Sequence, residues 1–272
     1  MLRPRVRRML CLTILVGGLL PGFPAVCASI GDAGDLPDAA LRARAPADFR
    51  KAKRLMREIY AGLEMSFYCG CRYENGGAPD ASTCGYRPHR PDKRSRRIEW
   101  EHVVPAAWLG RERECWNRPV ACRRANGKDR PRRACCRRID SEFRLMEGDP
   151  HNLVPAIGEL NARRLDFPFG DIPGEARAFG ACDFEVGAGD DSEAAFGRSR
   201  GLVEPRPEIR GDIARIHFYM IDQYGVPIET NYLKMLQEWA RLDRVSPIEK
   251  LRNERIRERT GLNNPFVSGE LE

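Results

Sequence analysis

Two short segments of the sequence carry most of its candidate chemistry. The first, Arg97 to Ala106, reads RIEWEHVVPA, and the second, Gly148 to Asn161, reads GDPHNLVPAIGELN. His102 has a side chain suited to deprotonating water near neutral pH. Glu101 and the side-chain amide oxygen of Asn152 are ligands of the kind that a hard cation such as Mg²⁺ prefers. Hydrolysis of a phosphodiester needs such a set, because the phosphate and the leaving oxygen gain negative charge during the reaction.

Positive charge is concentrated around these segments. Between Arg87 and Arg138 there are 17 Lys or Arg residues and six Asp or Glu residues, whereas the whole chain has a net charge of only +7. Arginine-rich loops bind backbone phosphates without reading the base sequence, although a basic run also occurs as ordinary solvated surface. The candidate nucleic-acid-binding residues are Arg94, Arg96, Arg97, Arg123 and Arg124.

The first 28 residues have the layout of a cleaved secretory signal. Four arginines precede an apolar run from Met9 to Leu20, and Val26-Cys27-Ala28 ends in a small residue. The run is too short for a stable transmembrane helix, and an uncleaved anchor is the alternative. We therefore predict a signal peptide at 1–28, a flexible extension at 29–46 and a single domain at 47–272. The mature protein is expected in the periplasm or secreted, with no attachment to the membrane.

The cysteines agree with export. Eight of the ten remain after the signal, and an even number in an exported protein predicts a disulfide framework. The eight are Cys69, Cys71, Cys84, Cys115, Cys122, Cys135, Cys136 and Cys182. Eight cysteines allow 105 pairings, and spacing does not choose among them. A structural zinc site is the alternative, but Cys69-x-Cys71 and Cys135-Cys136 do not match the usual C-x₂-C pairs.

Hydrophobic periodicity predicts the elements that position these residues. Apolar residues at helical spacing from Asp48 to Leu63 indicate an amphipathic helix, and Ile98 to Val104 is compatible with a strand closed by Pro105. The segment from His151 to Arg164 is predicted to be a short helix. Other predictions are irregular segments at 66–98 and 110–140, a long connection at 165–206, and helices at Glu208–Tyr224, Asn231–Leu242 and Ser246–Arg259. The fold class is thus α+β and helix-dominated.

The two segments closely resemble those of the bacterial endonuclease I family. Further landmarks of that family are Ser66-Phe67-Tyr68-Cys69-Gly70-Cys71, Cys84-Gly85-Tyr86, Cys115-Trp116 and Ile213-Ala214-Arg215 before Tyr219-Met220. The resemblance runs from Asp48 to Phe266. It implies a small ββα-metal (His-Me finger) catalytic core stapled by disulfides. The implied activity is sequence-nonspecific hydrolysis of double- and single-stranded DNA, and also of RNA, to 5′-phosphate and 3′-hydroxyl ends by a monomer.

The resemblance also implies a role for each matching residue. His102 would be the general base, and Glu101 and Asn152 would bind one Mg²⁺, with Ca²⁺ or Mn²⁺ as alternatives. An arginine after Cys115-Trp116 would stabilise the transition-state phosphate. Arg118 is the first choice for this arginine and Arg123 the substitute. Asn161 is expected to cap the helix or to form a hydrogen bond near the metal.

Two other classes of protein remain as alternatives. An exported nucleic-acid-binding protein would use the basic stretch without cleavage, and a cystine-rich structural domain would carry its histidines incidentally. The presence of Glu101, His102 and Asn152 together argues against both. One geometric condition applies to the enzyme: neighbours on a regular strand point to opposite faces, so Glu101 and His102 share a site only where the strand ends or bends.

Overall fold

The computed structural model describes residues 46–74, 77–118, 122–174, 176–187 and 201–271. The predicted signal peptide and almost all of the predicted extension lie outside these ranges, and both stay predictions. The helices are α1 (Phe49–Ile59), α2 (Ala106–Gly110), α3 (Glu114–Asn117), α4 (Arg132–Ile139), α5 (Ser141–Glu147), α6 (Gly158–Arg164), α7 (Arg210–Tyr224), α8 (Thr230–Leu242), α9 (Pro247–Thr260) and α10 (Pro265–Ser268). The strands are β1 (Ile98–His102), β2 (Leu153–Ile157), β3 (Phe184–Gly187) and β4 (Leu202–Pro205). None of the described helices is long and apolar enough to cross a bilayer.

The predicted N-terminal helix is confirmed as α1. The side chain of Asp48 accepts a hydrogen bond from the backbone N–H of Lys51 and so caps the helix. Ala52, Met56 and Ile59 are its buried residues and follow the helical period. The opposite face of α1 is basic and stays at the surface.

Strands β1 and β2 form an antiparallel pair in which Ile98 faces Ile157 and His102 faces Leu153. The helix predicted from His151 to Arg164 was therefore wrong over its first half: a 3₁₀ turn leads into β2, and only α6 is helical. The reason is that every residue of β2 is buried. A continuous apolar run does not distinguish a buried strand from one face of a helix. Pro155 is tolerated because, among the described residues, β2 pairs with β1 alone.

The basic stretch at 110–140 is more regular than predicted, since it contains α3 and α4. Cys115 on α3 is bonded to Cys136 on α4, and Cys122 is bonded to Cys135. Cys135 and Cys136 are fully buried. The two disulfides thus form the buried core of this segment. Its many arginines leave too few apolar residues for hydrophobic periodicity to predict a helix.

The four disulfides settle the pairing that spacing left open. Beside the two cystines of α4, Cys69 pairs with Cys182 and Cys71 pairs with Cys84. The predicted disulfide framework is confirmed. Because each of the eight cysteines is used in a disulfide, the zinc alternative is not supported. The Cys69–Cys182 bond ties the loop before β1 to the segment that leads into β3, which pairs with β4 within the predicted long connection.

The three long C-terminal helices, α7, α8 and α9, agree with the predicted helices. Ser246 Oγ accepts from the N–H of Glu249 and caps α9. A buried ion pair between Arg215 and Glu249 joins α7 to α9. From α9, the guanidinium of Arg252 donates to the carbonyl oxygens of Pro150, His151 and Leu153. These bonds fix the turn that leads into β2.

Candidate active site

Glu101 and His102 lie at the end of β1, where the strand gives way to a turn. Both side chains are almost fully buried, and both line the same cavity of about 290 Å³. The geometric condition set by the sequence is therefore met. A larger cavity of about 490 Å³, between α1 and β1, is also lined by both residues.

The ring of His102 is held in one tautomer. Its Nε2 lies 2.8 Å from the carbonyl oxygen of Glu147. Since a carbonyl oxygen only accepts, Nε2 carries the proton and Nδ1 keeps its lone pair. Burial, followed by the nearby charge of Arg133, lowers the pKa of His102 to about 3. The imidazole is thus neutral at physiological pH, and it packs against the ring of Phe49 at a centroid distance of 4.6 Å.

Glu101 is held by a buried arginine. Its Oε1 accepts from Arg164 Nη1 at 3.2 Å and from the Tyr68 hydroxyl at 3.4 Å. Its Oε2 has no hydrogen-bond partner among the described residues. Burial raises the pKa of Glu101 to about 7, while the charge of Arg164 opposes this shift. Arg164 also donates to the carbonyl oxygens of His102 and Val103, so it positions the carboxylate and the backbone after it together.

Asn152, the expected metal ligand, has a different place. It is fully buried, its Oδ1 accepts from the backbone N–H of Val104 at 2.7 Å, and its Nδ2 donates to the carbonyl of Val104 at 2.9 Å. It lines neither cavity. Both ends of the amide are used to clasp the turn after β1, so the geometry does not support a ligand role. His151 is likewise fully buried and stacks on Tyr219 at 4.5 Å.

Asn161, unlike Asn152, lies at the cavities. It lies in α6 and lines both cavities beside Glu101 and His102. Its Nδ2 donates to Glu99 Oε2 at 2.9 Å, which leaves Oδ1 without a partner in the described part of the chain. Arg94 and Arg97 each pair with Glu99 at 2.5 Å and hold that carboxylate in turn.

The donor set fits a hard cation. Glu101 Oε2 and Asn161 Oδ1 are two oxygens on one cavity, and two protein ligands are enough for Mg²⁺, which keeps several of its waters. The described residues contain no group of three or more His, Cys, Asp or Glu side chains suited to a metal. This composition does not suit a structural zinc site.

The arginine beside His102 is Arg133 of α4. It lines both cavities, and its Nε donates to Glu147, whose carbonyl holds His102. Its Nη2 is buried without a hydrogen-bond partner in the described structure. Arg137 donates to the other oxygen of Glu147 at 2.6 Å. Arg133 therefore pairs with Glu147 through Nε, as Arg137 does, while its Nη2 is not used by any described group.

Only some of the arginines predicted from the sequence to bind nucleic acid or phosphate line a cavity. Arg94 and Arg97 line the larger cavity, whereas Arg96 is exposed and lines neither cavity. Arg118 is exposed at the end of α3 and lines neither cavity. Arg123 and Arg124 are exposed as well, and Arg123 pairs with Asp129 at 3.1 Å. The geometry thus favours Arg133 over Arg118 or Arg123 as the arginine of the site.

The larger cavity has walls of cations and aromatic rings. Lys53 and Arg57 project from α1, and Tyr60, Tyr73 and Trp100 provide rings, with Tyr60 and Trp100 at a centroid distance of 5.5 Å. Grooves that bind nucleic-acid strands combine these two kinds of side chain. The cavity also includes Glu101 and His102, so a nucleic-acid strand lying in it would come close to both side chains.

A neutral buried histidine, a carboxylate, an amide oxygen and an arginine lie around one cavity, and this set of groups suits the hydrolysis of phosphodiester bonds in nucleic acids. Residues 52–270 match the family described as Endonuclease I, and the chain belongs to this family.

Three relatives extend over most of the chain. An extracellular deoxyribonuclease of Aeromonas hydrophila is 37% identical over 222 residues, which cover 80% of this chain and 88% of that protein. A periplasmic deoxyribonuclease of Aeromonas hydrophila is 35% identical over 84% of this chain and 88% of its own length. An Endonuclease-1 of Buchnera aphidicola subsp. Acyrthosiphon pisum is 33% identical over 76% and 74%, respectively.

Proposed function

We propose that the protein is an exported, metal-dependent endonuclease that cleaves DNA, and also RNA, without sequence specificity and leaves 5′-phosphate and 3′-hydroxyl ends. The observation that carries the proposal is the ring of His102, with Nε2 fixed on a backbone carbonyl and Nδ1 free in a cavity shared with Glu101, Asn161 and Arg133. Export is supported by the four disulfides and by relatives named as extracellular and periplasmic enzymes.

Strands β1 and β2 and helix α6 form the ββα-metal core in this proposal. The cation, Mg²⁺ with Ca²⁺ or Mn²⁺ as alternatives, would be held by Glu101 and Asn161. When bound, it supplies positive charge that stabilises the phosphate and the leaving oxygen. Arg164 keeps Glu101 in place, and Glu99 keeps the amide of Asn161 in one orientation.

Two residues of this chain then deprotonate the attacking water and bind the phosphate. Nδ1 of His102 takes a proton from water, and the hydroxide attacks phosphorus as the bond to the 3′-oxygen breaks. The imidazolium that forms is stabilised through Nε2 by the carbonyl of Glu147. The guanidinium of Arg133, which lines the same cavity, donates to a phosphate oxygen, where an aimed donor contributes most as charge develops. The 5′-phosphate stays with the attacked phosphorus, and the 3′-oxygen leaves as an alkoxide that takes a proton from a solvent water to give the 3′-hydroxyl.

Lack of sequence specificity follows from the groups that meet the substrate. Lys53, Arg57, Arg94 and Arg97 line the larger cavity and contact phosphates, which carry no sequence information. Both single strands and duplexes present such phosphates. The 2′-hydroxyl of RNA is not needed for attack, because the nucleophile comes from water.

Removal of the divalent cation is expected to abolish cleavage. The oxidised mature protein should degrade plasmid DNA and RNA in Mg²⁺, lose this activity in EDTA and regain it when Mg²⁺ is restored. Product ends are checked by ligation, which requires a 5′-phosphate. Cleavage that persists in EDTA would overturn the metal-dependent mechanism. Salt-sensitive DNA binding without cleavage in any divalent cation would instead favour the binding-protein alternative.

Loss of Asn161 is expected to lower the affinity for the metal, whereas loss of Asn152 is expected to lower the stability of the fold. Asn161→Ala removes the proposed ligand, and losing even an outer partner of a metal ligand typically costs about 10–100-fold in metal affinity. We expect at least that loss, measured by calorimetric titration with Mn²⁺, at an unchanged melting temperature.

Asn152→Ala is the matched comparison. It leaves the N–H and C=O of Val104 without partners and should lower the free energy of unfolding by about 2–5 kcal/mol. A fully stable Asn152→Ala protein that had lost Mn²⁺ binding would return the ligand role to Asn152.

A further inference from the structure

Leu165, the residue after α6, combines an exposed apolar side chain with a backbone conformation that favours glycine. It is 62% exposed, with φ +54° and ψ −123°. Among the described residues it is one of two non-glycine residues with positive φ. Helices α7, α9 and α10 also end in positive φ, and there the residues are Gly225, Gly261 and Gly269. The backbone at 165 is therefore strained by a leucine for which glycine would be the ordinary choice.

The neighbours of Leu165 hold this conformation in place. Arg164 before it is fully buried, and Phe167 donates its N–H to the carbonyl of Arg164 at 3.1 Å. The carbonyl of Asp166 accepts from Trp108 Nε1 at 3.1 Å. The turn is fixed on both sides of Leu165, and the leucine side chain projects from it toward solvent. Conformational strain that is held in this way is characteristic of functional positions.

Leu165 stands at the edge of the reaction site. It lines the cavity of about 290 Å³ together with Glu101, His102, Asn161 and Arg133. Helix α6 carries Asn161 and ends beside Leu165. A duplex whose phosphate reaches His102 therefore brings its base pairs against this leucine.

We infer that Leu165 inserts between two neighbouring base pairs of duplex DNA beside the phosphate that is cleaved. The inference rests on the proposed nuclease function, and we call the inserted side chain of Leu165 the wedge. Apolar side chains that enter the minor groove unstack a base step and kink the duplex. A kink bends the stiff backbone of a duplex so that one phosphate can enter a cavity as small as this one. A single strand is flexible and needs no wedge.

The experiment compares Leu165→Gly and Leu165→Ala with a control on another surface. Leu165→Gly removes the side chain and suits the positive φ, so the protein stays folded and its melting temperature is unchanged or higher. Leu242→Ala is the control, because Leu242 is 67% exposed and lines neither cavity. We expect kcat/KM on duplex DNA to fall about tenfold or more in both Leu165 variants. On the matching single strand it should change by less than about twofold, as in the control.

A binding measurement tests the wedge without cleavage. Duplexes with 2-aminopurine at successive positions are bound by the His102→Ala protein in Ca²⁺, and unstacking should raise their fluorescence. The His102→Ala/Leu165→Gly protein should bind without that rise. Cleavage by the wild type should also favour TA and CA steps, which unstack most easily, and Leu165→Gly should flatten this preference.

Two outcomes would overturn the wedge. One is an equal loss on single strands and duplexes, and the other is an unchanged kcat/KM on duplexes in Leu165→Gly. If the wild type cleaves neither substrate, the proposed function fails, and the fluorescence comparison alone then decides whether Leu165 unstacks DNA.

Discussion

Replacing His102 by alanine is expected to lower kcat for phosphodiester cleavage by about 10²–10⁴-fold, the usual contribution of a positioned general base. The loss should fall on the chemical step, because Nδ1 of His102 is the base and the cations that hold phosphates remain. Binding of duplex DNA in the presence of EDTA should be retained. The measurement is single-turnover cleavage with enzyme in excess, which separates the chemical step from product release.

The control for this substitution is His89→Ala. His89 is exposed and lines neither cavity, so its loss should leave the rate within about twofold. His102→Ala must also be shown to be folded, since the ring packs on Phe49. A folded His102→Ala protein that keeps a tenth or more of the wild-type rate, as an order-of-magnitude threshold, would assign the base to another group.

The elements that the sequence predicted well are those whose pattern is local. Helix α1 and the three long C-terminal helices have apolar residues at helical spacing and recognisable caps, such as Asp48 and Ser246. Glu101 and His102 could be predicted as candidate site residues because carboxylates bind hard cations and histidine accepts protons near neutral pH. The following Pro105 marks the end of the strand that carries them. Each of these inferences needs only a window of neighbouring residues.

The different surroundings of Asn152 and Asn161 show where a local sequence pattern is insufficient. Both asparagines offer the same amide oxygen, and their roles depend on what each meets across the fold. Asn152 meets the backbone of Val104, 48 residues earlier, and Asn161 meets Glu99, 62 residues earlier. The incorrect helix from His151 also placed Asn161 late in that helix, whereas it lies in the first turn of α6. A correct strand at β2 would have put the start of α6, and with it Asn161, beside Ile98 and Glu99 at the start of β1.

Arg133 was missed for a related reason. It is one of 17 basic residues in its stretch, and nothing in the spacing separates it from its neighbours. The disulfides determine where Arg133 lies, because Cys115–Cys136 and Cys122–Cys135 hold α4 in place. Helix α4 in turn places Arg133 and Arg137 on the carboxylate of Glu147, and the carbonyl of Glu147 holds His102. The pairing of cysteines, which spacing leaves open, therefore decides which arginine enters the site.

Arg133→Ala is expected to lower kcat by about 10²–10³-fold, the usual loss when one aimed donor to the transition state is removed. Arg118→Ala, the arginine favoured by the sequence, should change the rate by less than about twofold, because it is exposed and lines neither cavity. Arg137 still holds Glu147 when Arg133 is lost, so the carbonyl that fixes His102 should stay in place. Single-turnover cleavage and melting temperature are measured for both variants.

Arg133→Lys separates the charge of this residue from its geometry. Lysine keeps the positive charge beside Glu147 but lacks the planar fork, which offers Nε to the carboxylate and a second N–H to a phosphate at the same time. If Arg133 acts as a phosphate donor, the lysine variant should stay well below the wild type while its melting temperature recovers. If Arg133 only neutralises Glu147, lysine should restore kcat along with stability. Full activity in folded Arg133→Ala would remove this residue from the mechanism, and a large loss in Arg118→Ala would restore the arginine that the sequence favoured.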